Sequence, residues 1–418
     1  MVYNSVTATQ TKESTMQSKN TPFAGMLALA AVIPLFAAAD APLPLWSGPA
    51  VPRAADLEKL DGVEFSVIKL HEPEKDGYHF LHGVALCWHK GTLYASYGTN
   101  KGAENTASEE LHVRASRDGG RTWGPVEIVS SDGAPGLGIS HGSMAVLGGE
   151  LWCFAGAFSN RLAKTGSLAF THTRAYVRDD ATGRWNPRGI VASQGFWPMQ
   201  NPIRLPDGDW IMGGLRVANG WNLPGGARPA AAISHGDDFT RWDVSVVKEG
   251  DVPGGVWGEA TVDTWGPCIT LTVRPGWKEH PPVAHVATSA DGGRTWTPLR
   301  PTNLPIPASK PFTGILSTGQ RYLISQITSD GGHRRNPLTI AVGRPGEWSY
   351  SRVFLVRPSV FPEGPGPSPA RALAYPSAVE HEGRLYVAYS NSGNGGNHSN
   401  SAELAIIPVA ALSVGFGF

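Results

Sequence analysis

The sequence predicts an all-β protein folded as a six-bladed β-propeller, on three observations. A glycine-led strand phrase recurs six times along the chain, an eight-residue turn pattern S-x-D-x-G-x-T-W occurs twice between copies, and long helical patterns are scarce. Fourteen Trp, fourteen Phe and ten Tyr fit many short strands, because aromatic rings pack well on pleated surfaces. Glycine (51) and proline (34) make up about a fifth of the 418 residues, which suits a turn-rich chain, and 41% apolar residues suffice for a sizeable core. This length fits a single propeller domain as readily as several smaller ones.

At the N-terminus, the run Phe23 to Ala39 (FAGMLALAAVIPLFAAA) follows Lys19 and ends in small residues of the A-x-A kind. Pro34 interrupts it and it falls short of the ~20 residues a membrane span needs. A signal segment over residues 1–41 is therefore expected, with Met16 as an alternative start, giving an exported protein, periplasmic or secreted, without a stable membrane span. The Pro-rich stretch Ala41 to Pro52 reads as part of a linker over 42–59, and 60–418 as one propeller domain.

The repeats set the architecture. The phrase is GTLYASY from Gly91, GELWCF from Gly149, GDWIMGG from Gly208, GPCITLT from Gly266, GQRYLIS from Gly319 and GRLYVAY from Gly383. The spacing, roughly 53 to 64 residues, is that of a four-stranded blade with generous loops. Six phrases imply six blades; a seventh would have to lack the phrase. Ring closure calls for a strand from one terminus on the blade of the other, and Val63 to Leu70 (VEFSVIKL) with the C-terminal ELAIIPVAAL have the length and alternation for it.

The turn pattern covers Ser116 to Trp123 and Ser289 to Trp296, with a worn version from Ser234 to Asp243. Its Asp can accept backbone N–H groups across a hairpin, its glycines supply positive φ and its Trp packs between strands, so it reads as structural. Cys87, Cys153 and Cys268 lie in strands of different repeats without metal or redox spacing and read as buried thiols. Lys plus Arg equals Asp plus Glu at 35 each, so no overall field favours nucleic acid or an anionic membrane, and an acidic ligand must be held by local charges.

These turns are Asp boxes, and over residues 60–418 the chain resembles the sialidase superfamily. The resemblance implies a Tyr nucleophile polarised by a Glu, an acidic acid/base, and three arginines on a substrate carboxylate. Tyr375 in AYPSAVEHEGRLYVAY looks like the nucleophile and Glu259 in WGEATVDTWGPCITLTVR like its base, with Arg274 fifteen residues on as the second arginine. Arg334 in HRRNPLTIAV resembles the third arginine, although Pro337 interrupts the pattern and Arg335 is the alternative. Glu104, twelve residues before Ser116, is near the acid/base position. The departure is in the first blade, where His82 stands in place of the first arginine. His141 occupies the matching place in blade two, a pairing similar to that of uronate-specific polysaccharide lyases and rhamnosidase-like propeller enzymes. Trp197, Trp257, Gln200 and Asn201 also open blades, as a sugar platform or as inter-blade packing.

Three functions follow from the resemblance: an exo-type glycoside hydrolase on acidic glycans, a lyase in which His82, His141 or Tyr375 abstracts a proton beside an arginine-neutralised uronate, or a non-catalytic carbohydrate-binding propeller. The expected partner is an acidic oligosaccharide or polysaccharide, with no nucleic acid, no cofactor and a monomeric state; a structural ion on the propeller axis is left open.

Overall fold

The computed structural model describes residues 42–130, 136–159, 168–217, 226–250, 252, 254–359, 372–393 and 399–415. The apolar run Phe23 to Ala39 and Met16 lie outside these residues. No helix among the described residues is long and apolar enough to cross a membrane.

Six sheets account for the described strands. Each recurrent phrase forms the second strand of its sheet: Thr92–Asn100, Glu150–Ser159, Trp210–Val217, Cys268–Pro275, Gln320–Ser325 and Arg384–Asn391. Alternation alone would bury one face of such a strand. These are buried almost throughout, because neighbouring blades cover both faces of every sheet. One such interface packs Leu93, Ala95 and Tyr97 of the first blade against Tyr386, Leu404 and Ile406 of the sixth. Another packs Ile340, Val342 and Phe354 of the fifth against Leu385, Val387 and Ile407 of the sixth.

The expected closure is present. Glu64–Lys69 pairs antiparallel with Ser401–Pro408, the third strand of the sixth sheet, in the register Glu64 to Ile406 and Phe65 to Ala405. The N-terminus thus supplies the outermost strand of the last blade and removes an open sheet edge. The Pro-rich stretch expected as a linker is packed: Leu43 bridges to Thr302, Trp46 to Tyr350, and Glu58–Lys59 pairs parallel with Phe354 and Leu355. Leu45 is fully buried. Of the three thiols, Cys87 and Cys153 are buried and Cys268 is half-buried; all are free.

Both complete Asp boxes lie between the third and fourth strands of their sheets and share one geometry. The Asp118 carboxylate accepts the Thr122 amide (2.9 Å) and hydroxyl (2.6 Å) and the Ser116 hydroxyl (2.8 Å), while Ser116 Oγ accepts the Gly120 amide (2.7 Å). Asp291 takes the Thr295 amide and hydroxyl and the Ser289 hydroxyl at 2.9, 2.6 and 2.7 Å. The carboxylates are exposed at the hairpin tips and the serines are buried, so each box ties a surface turn to the sheet beneath it.

The Thr122 and Ser116 donors hold the Asp118 carboxyl down to about 2, below its value in an unfolded chain. Its stabilising contribution is therefore present at neutral pH and is lost as pH falls through about 2. Asp118→Ala and Asp291→Ala should each lower the unfolding free energy by about 1 kcal/mol, read in chemical denaturation at pH 7. Ligand binding in the axial cavity should be unchanged.

Candidate active site

The innermost strands begin at one end of the propeller axis and finish at the other, and an axial cavity lies at each end. The first, of about 460 Å³, is lined from the strand starts by Phe80, His82, His141, Trp197, Glu259 and Tyr375. The second is lined from the later residues of the same strands, including Met144, Val262, Gly314 and Val379.

Four innermost strands reach the first cavity through a local break in register. The shifts fall at His82/Ala85, Ile139/Gly142, Val256/Ala260 and Ala374/Ser377. A bulge re-aims one side chain while the flanking ladder continues, and here each delivers a site residue: His82, His141, Glu259 or Tyr375. Glycine makes three of the breaks sterically feasible, and at Gly142 a Cβ would stand 1.8 Å from the Phe154 carbonyl oxygen. Gly83 has φ +67°, and a Cβ there would stand 2.1 Å from the His141 ring. Gly258, at φ +86°, has the Arg228 backbone within 2.8 Å of that position. Tyr375 adopts φ +53° without being glycine, an uncommon conformation that clusters at functional sites.

The bulges converge on Glu259. The Tyr375 hydroxyl donates to Glu259 Oε1, and Arg274 Nη1 donates to Oε2 at 2.8 Å. Glu259 and Arg274 are each 3% exposed, and a buried carboxylate is tolerable only when paired in this way. Arg335 is the second guanidinium on the cavity, and its Nη2 donates to the Ala308 carbonyl at 2.7 Å. Among the described residues, Nε of Arg274 and of Arg335 is buried without a hydrogen-bond partner. The Trp277 ring lies 5.7 Å from the Arg274 guanidinium and 5.1 Å from that of Arg335, and Trp257 lies 5.7 Å from Arg274. An aromatic wall thus carries two cations.

The His82 ring lies tilted against that of Tyr375, with centroids 3.9 Å apart and planes at 50°, and its Nδ1 meets Ser390 Oγ at 3.0 Å. His141 packs edge-on to Tyr375 at 5.8 Å. Burial, then the nearby Lys310 charge, push the His141 imidazole down to about 3, so it is neutral at physiological pH. Its Nε2 has no partner among the described residues. Glu104 enters from the loop between the second and third strands of the first blade. Burial, reinforced by the Glu259 charge, raises its carboxyl to about 7. Below about pH 7 Glu104 therefore keeps its proton, apart from the Arg274–Glu259 ion pair.

The cavity gathers Tyr375, Glu259, Arg274, Arg335, Glu104, His82, His141, Trp197 and Trp257. Three candidates lie elsewhere. Arg334 sits on the turn closed by its own amide to Gly331, with a side chain 59% exposed beside Asp330, while the next residue, Arg335, faces the axis. Gln200 and Asn201 line the second cavity, their amides consumed by backbone. Gln200 Nε2 donates to Val262 and Thr313 carbonyls (2.7 and 3.1 Å) and Oε1 accepts the Val262 amide (2.6 Å). Asn201 bridges Leu86 O and the Met144 amide. Both residues fasten blades together. Sequence reasoning missed Trp277, Ser390 and Lys310. The RPGW run that places Trp277 three residues beyond Arg274 was the available signal for the first. Among the described residues, no group of three or more His, Cys, Asp or Glu side chains is arranged to hold a metal ion.

A family model for the BNR repeat-like domain matches residues 91–387. No curated protein matches at a significant level. Among solved structures the chain is similar to a Hadza microbial sialidase, with a TM-score of 0.62 and 16% identity over 83% of this chain and 69% of that one. It is also similar to a Dyadobacter fermentans protein of unknown function, with a TM-score of 0.61 and 16% identity over 83% and 99% of the two chains. Trypanosoma rangeli sialidase, as its covalent intermediate with 2,3-difluorosialic acid, aligns with a TM-score of 0.59 and 15% identity over 85% of this chain and 60% of that one. At these identities the likeness speaks for the fold.

The two adjacent arginines give a direct test of the geometry. Arg335→Ala should weaken binding of a free acidic monosaccharide by about 1.5–3 kcal/mol, the usual range for a charge-assisted bond, in isothermal titration calorimetry. Arg334→Ala should leave it within about 0.5 kcal/mol.

Proposed function

The chain belongs to the BNR repeat-like family and is a propeller of the sialidase superfamily, and from that premise we propose that it is an exo-type glycoside hydrolase acting on acidic glycans. The observation that carries this reading is the Tyr375–Glu259–Arg274 relay at the floor of a cavity that also holds Glu104. A phenol is a poor nucleophile at its ordinary pKa, and burial and the Glu259 charge raise that of Tyr375 further. It attacks only if its proton leaves during bond formation, and Glu259 Oε1 already accepts that hydrogen bond.

In this reading the sugar carboxylate lies against Arg274 and Arg335, with the ring on the Trp277 and Trp257 wall. Tyr375 Oη forms the bond to the anomeric carbon as its proton passes to Glu259, and the anomeric bond to the leaving oxygen breaks as Glu104 protonates that oxygen. Water then attacks the glycosyl-tyrosine, giving its proton to Glu104, while the phenol leaves and recovers its proton from Glu259. The products are a free sugar of retained configuration and a shortened glycan. His82 offers at most one or two hydrogen bonds where a guanidinium fork would offer more. That favours a uronic or other non-sialic acid over sialic acid.

A second reading, a uronate lyase, is favoured by the neutral His141 with its unpartnered Nε2. Products separate the readings. Hydrolysis adds water and gives no near-ultraviolet signal, elimination leaves an unsaturated uronate that absorbs there, and a non-catalytic binding propeller leaves the glycan intact.

On a panel of sialylated and uronate-containing glycans, the purified protein should release a saturated acidic monosaccharide. Tyr375→Phe should reduce kcat on the order of 10⁴-fold, as loss of a nucleophile does. Because Glu104 acts while protonated, kcat/KM should fall as pH rises through about 7. Glu104→Gln should remove the Glu104 contribution to that limb, and an unsaturated product would replace this reading with the lyase.

A further inference from the structure

The left-handed backbone at Tyr375 needs a restraint, since a proline follows it. A residue before proline is pushed toward extended φ and ψ, and a bulky aromatic at positive φ is strained on its own account. Tyr375 combines both within a register break at Ala374/Ser377. Beneath it lies a cation that the reaction described above does not use.

Lys310 is 3% exposed and stands two residues before the innermost strand of the fifth blade, whose first ring, Phe312, lies 5.5 Å from its ammonium. Its Nζ donates to the Pro376 carbonyl at 2.7 Å and to the Met199 carbonyl at 3.1 Å. Among the described residues no carboxylate is within ion-pair distance of it, so its partners are main-chain oxygens from the sixth and third blades. The titratable groups that face it are Glu259 from the fourth blade, which favours the ammonium, and His141 from the second, which burial, reinforced by the ammonium, keeps neutral. A buried cation without a carboxylate partner is costly. Its two bonds are spent on the Pro376–Ser377 peptide, one residue beyond Tyr375, and on the Met199 carbonyl of the third blade.

We propose that Lys310 is a positioning residue for the nucleophile: its ammonium grips the Pro376 carbonyl against the third blade and thereby holds the left-handed turn that aims the Tyr375 hydroxyl at Glu259. The role of Tyr375 as nucleophile rests on the hydrolase reading above; the conformational claim does not. Burial lowers the Lys310 ammonium to about 7, partly offset by Glu259, so its charge is lost as pH rises through that value. Above it the amine still donates, but without charge assistance.

Crystal structures of Lys310→Met, Lys310→Gln and Lys310→Arg test the conformational claim without any substrate. Lys310→Met and Lys310→Gln should return Tyr375 to negative φ and separate its hydroxyl from Glu259, with the Asp boxes and the Arg274–Glu259 pair in place, and Lys310→Arg should preserve the turn. The kinetic arm uses an aryl glycoside of the acidic sugar released by the wild type, with a leaving group that needs no protonation, so that Glu104 drops out of kcat/KM. There Lys310→Met should lower kcat at least tenfold with little change in KM, Lys310→Arg should recover most of the loss, and any remaining alkaline limb should vanish in Lys310→Met. Tyr375 still at positive φ and bonded to Glu259 in the Met variant would overturn the proposal. So would failure of both neutral variants to fold, which would make Lys310 a general folding residue. A wild type that cleaves no glycan, with the turn collapsing as expected in the variants, would refute the hydrolase reading and leave the positioning role standing.

Discussion

A carboxylate buried at the centre of the ring can persist only if both its oxygens are satisfied, and Glu259 meets that demand with one phenol and one guanidinium. Arg274 comes from the strand paired with Glu259's own, so it arrives with the local hairpin. Tyr375 comes from a blade two positions further around the ring, so its approach depends on ring closure. Closure in turn depends on Glu64–Lys69 completing the sixth sheet. The outer strands and the site are thus linked by one requirement: the sixth blade must stand where its bulged inner strand can reach the fourth.

The Glu259 charge also orders the titration of its surroundings. With burial it keeps the proton on Glu104 to about neutrality, and it offsets part of the desolvation of Lys310. Among the groups that line the cavity, the Arg274 and Arg335 guanidiniums face the Glu259 carboxylate, and Glu104 adds a further negative charge as pH rises through about 7. A chain with 35 basic and 35 acidic residues has no overall field to attract an anion. On the hydrolase reading proposed above, selectivity for an acidic ligand would come from the two local guanidiniums, set against the Trp257 and Trp277 rings.

Much of this was legible in the sequence, for identifiable reasons. The second strand of each blade announces itself because it is apolar on both faces and opens on a glycine turn, which produced the six phrases and the ring size. The closure strand was visible as an isolated alternating segment, Val63 to Leu70. Tyr375, Glu259 and Arg274 were recognisable because each sits in an extended family-like stretch. Arg334 and Arg335 could not be told apart because neighbours on a loop face opposite sides, and the turn at Gly331 decides which faces the axis. Gln200 and Asn201 open a blade as the site residues do, but the innermost strand of the third blade breaks between Pro198 and Ile203 and turns them to the other cavity. Lys310 left no sequence signal, since its partners are carbonyl oxygens of distant segments. The four register breaks were half visible: Gly83, Gly142 and Gly258 each stand beside a site residue, and a glycine inside a strand pattern is the usual mark of a bulge.

Because a fold does not by itself fix a function, function must be argued from the site, and on the hydrolase reading the Tyr375 oxygen becomes covalently bonded to the sugar. The most direct measurement is mass spectrometry of the peptide containing Tyr375 after incubation with a fluorinated, activated analogue of the acidic sugar that the protein releases, a reagent that forms the glycosyl intermediate faster than water removes it. A stoichiometric mass increase of one fluorosugar on Tyr375 is expected, absent in Tyr375→Phe and strongly slowed in Glu259→Gln. Time-dependent inactivation with the adduct on another residue, or steady turnover with no adduct at all, would contradict it.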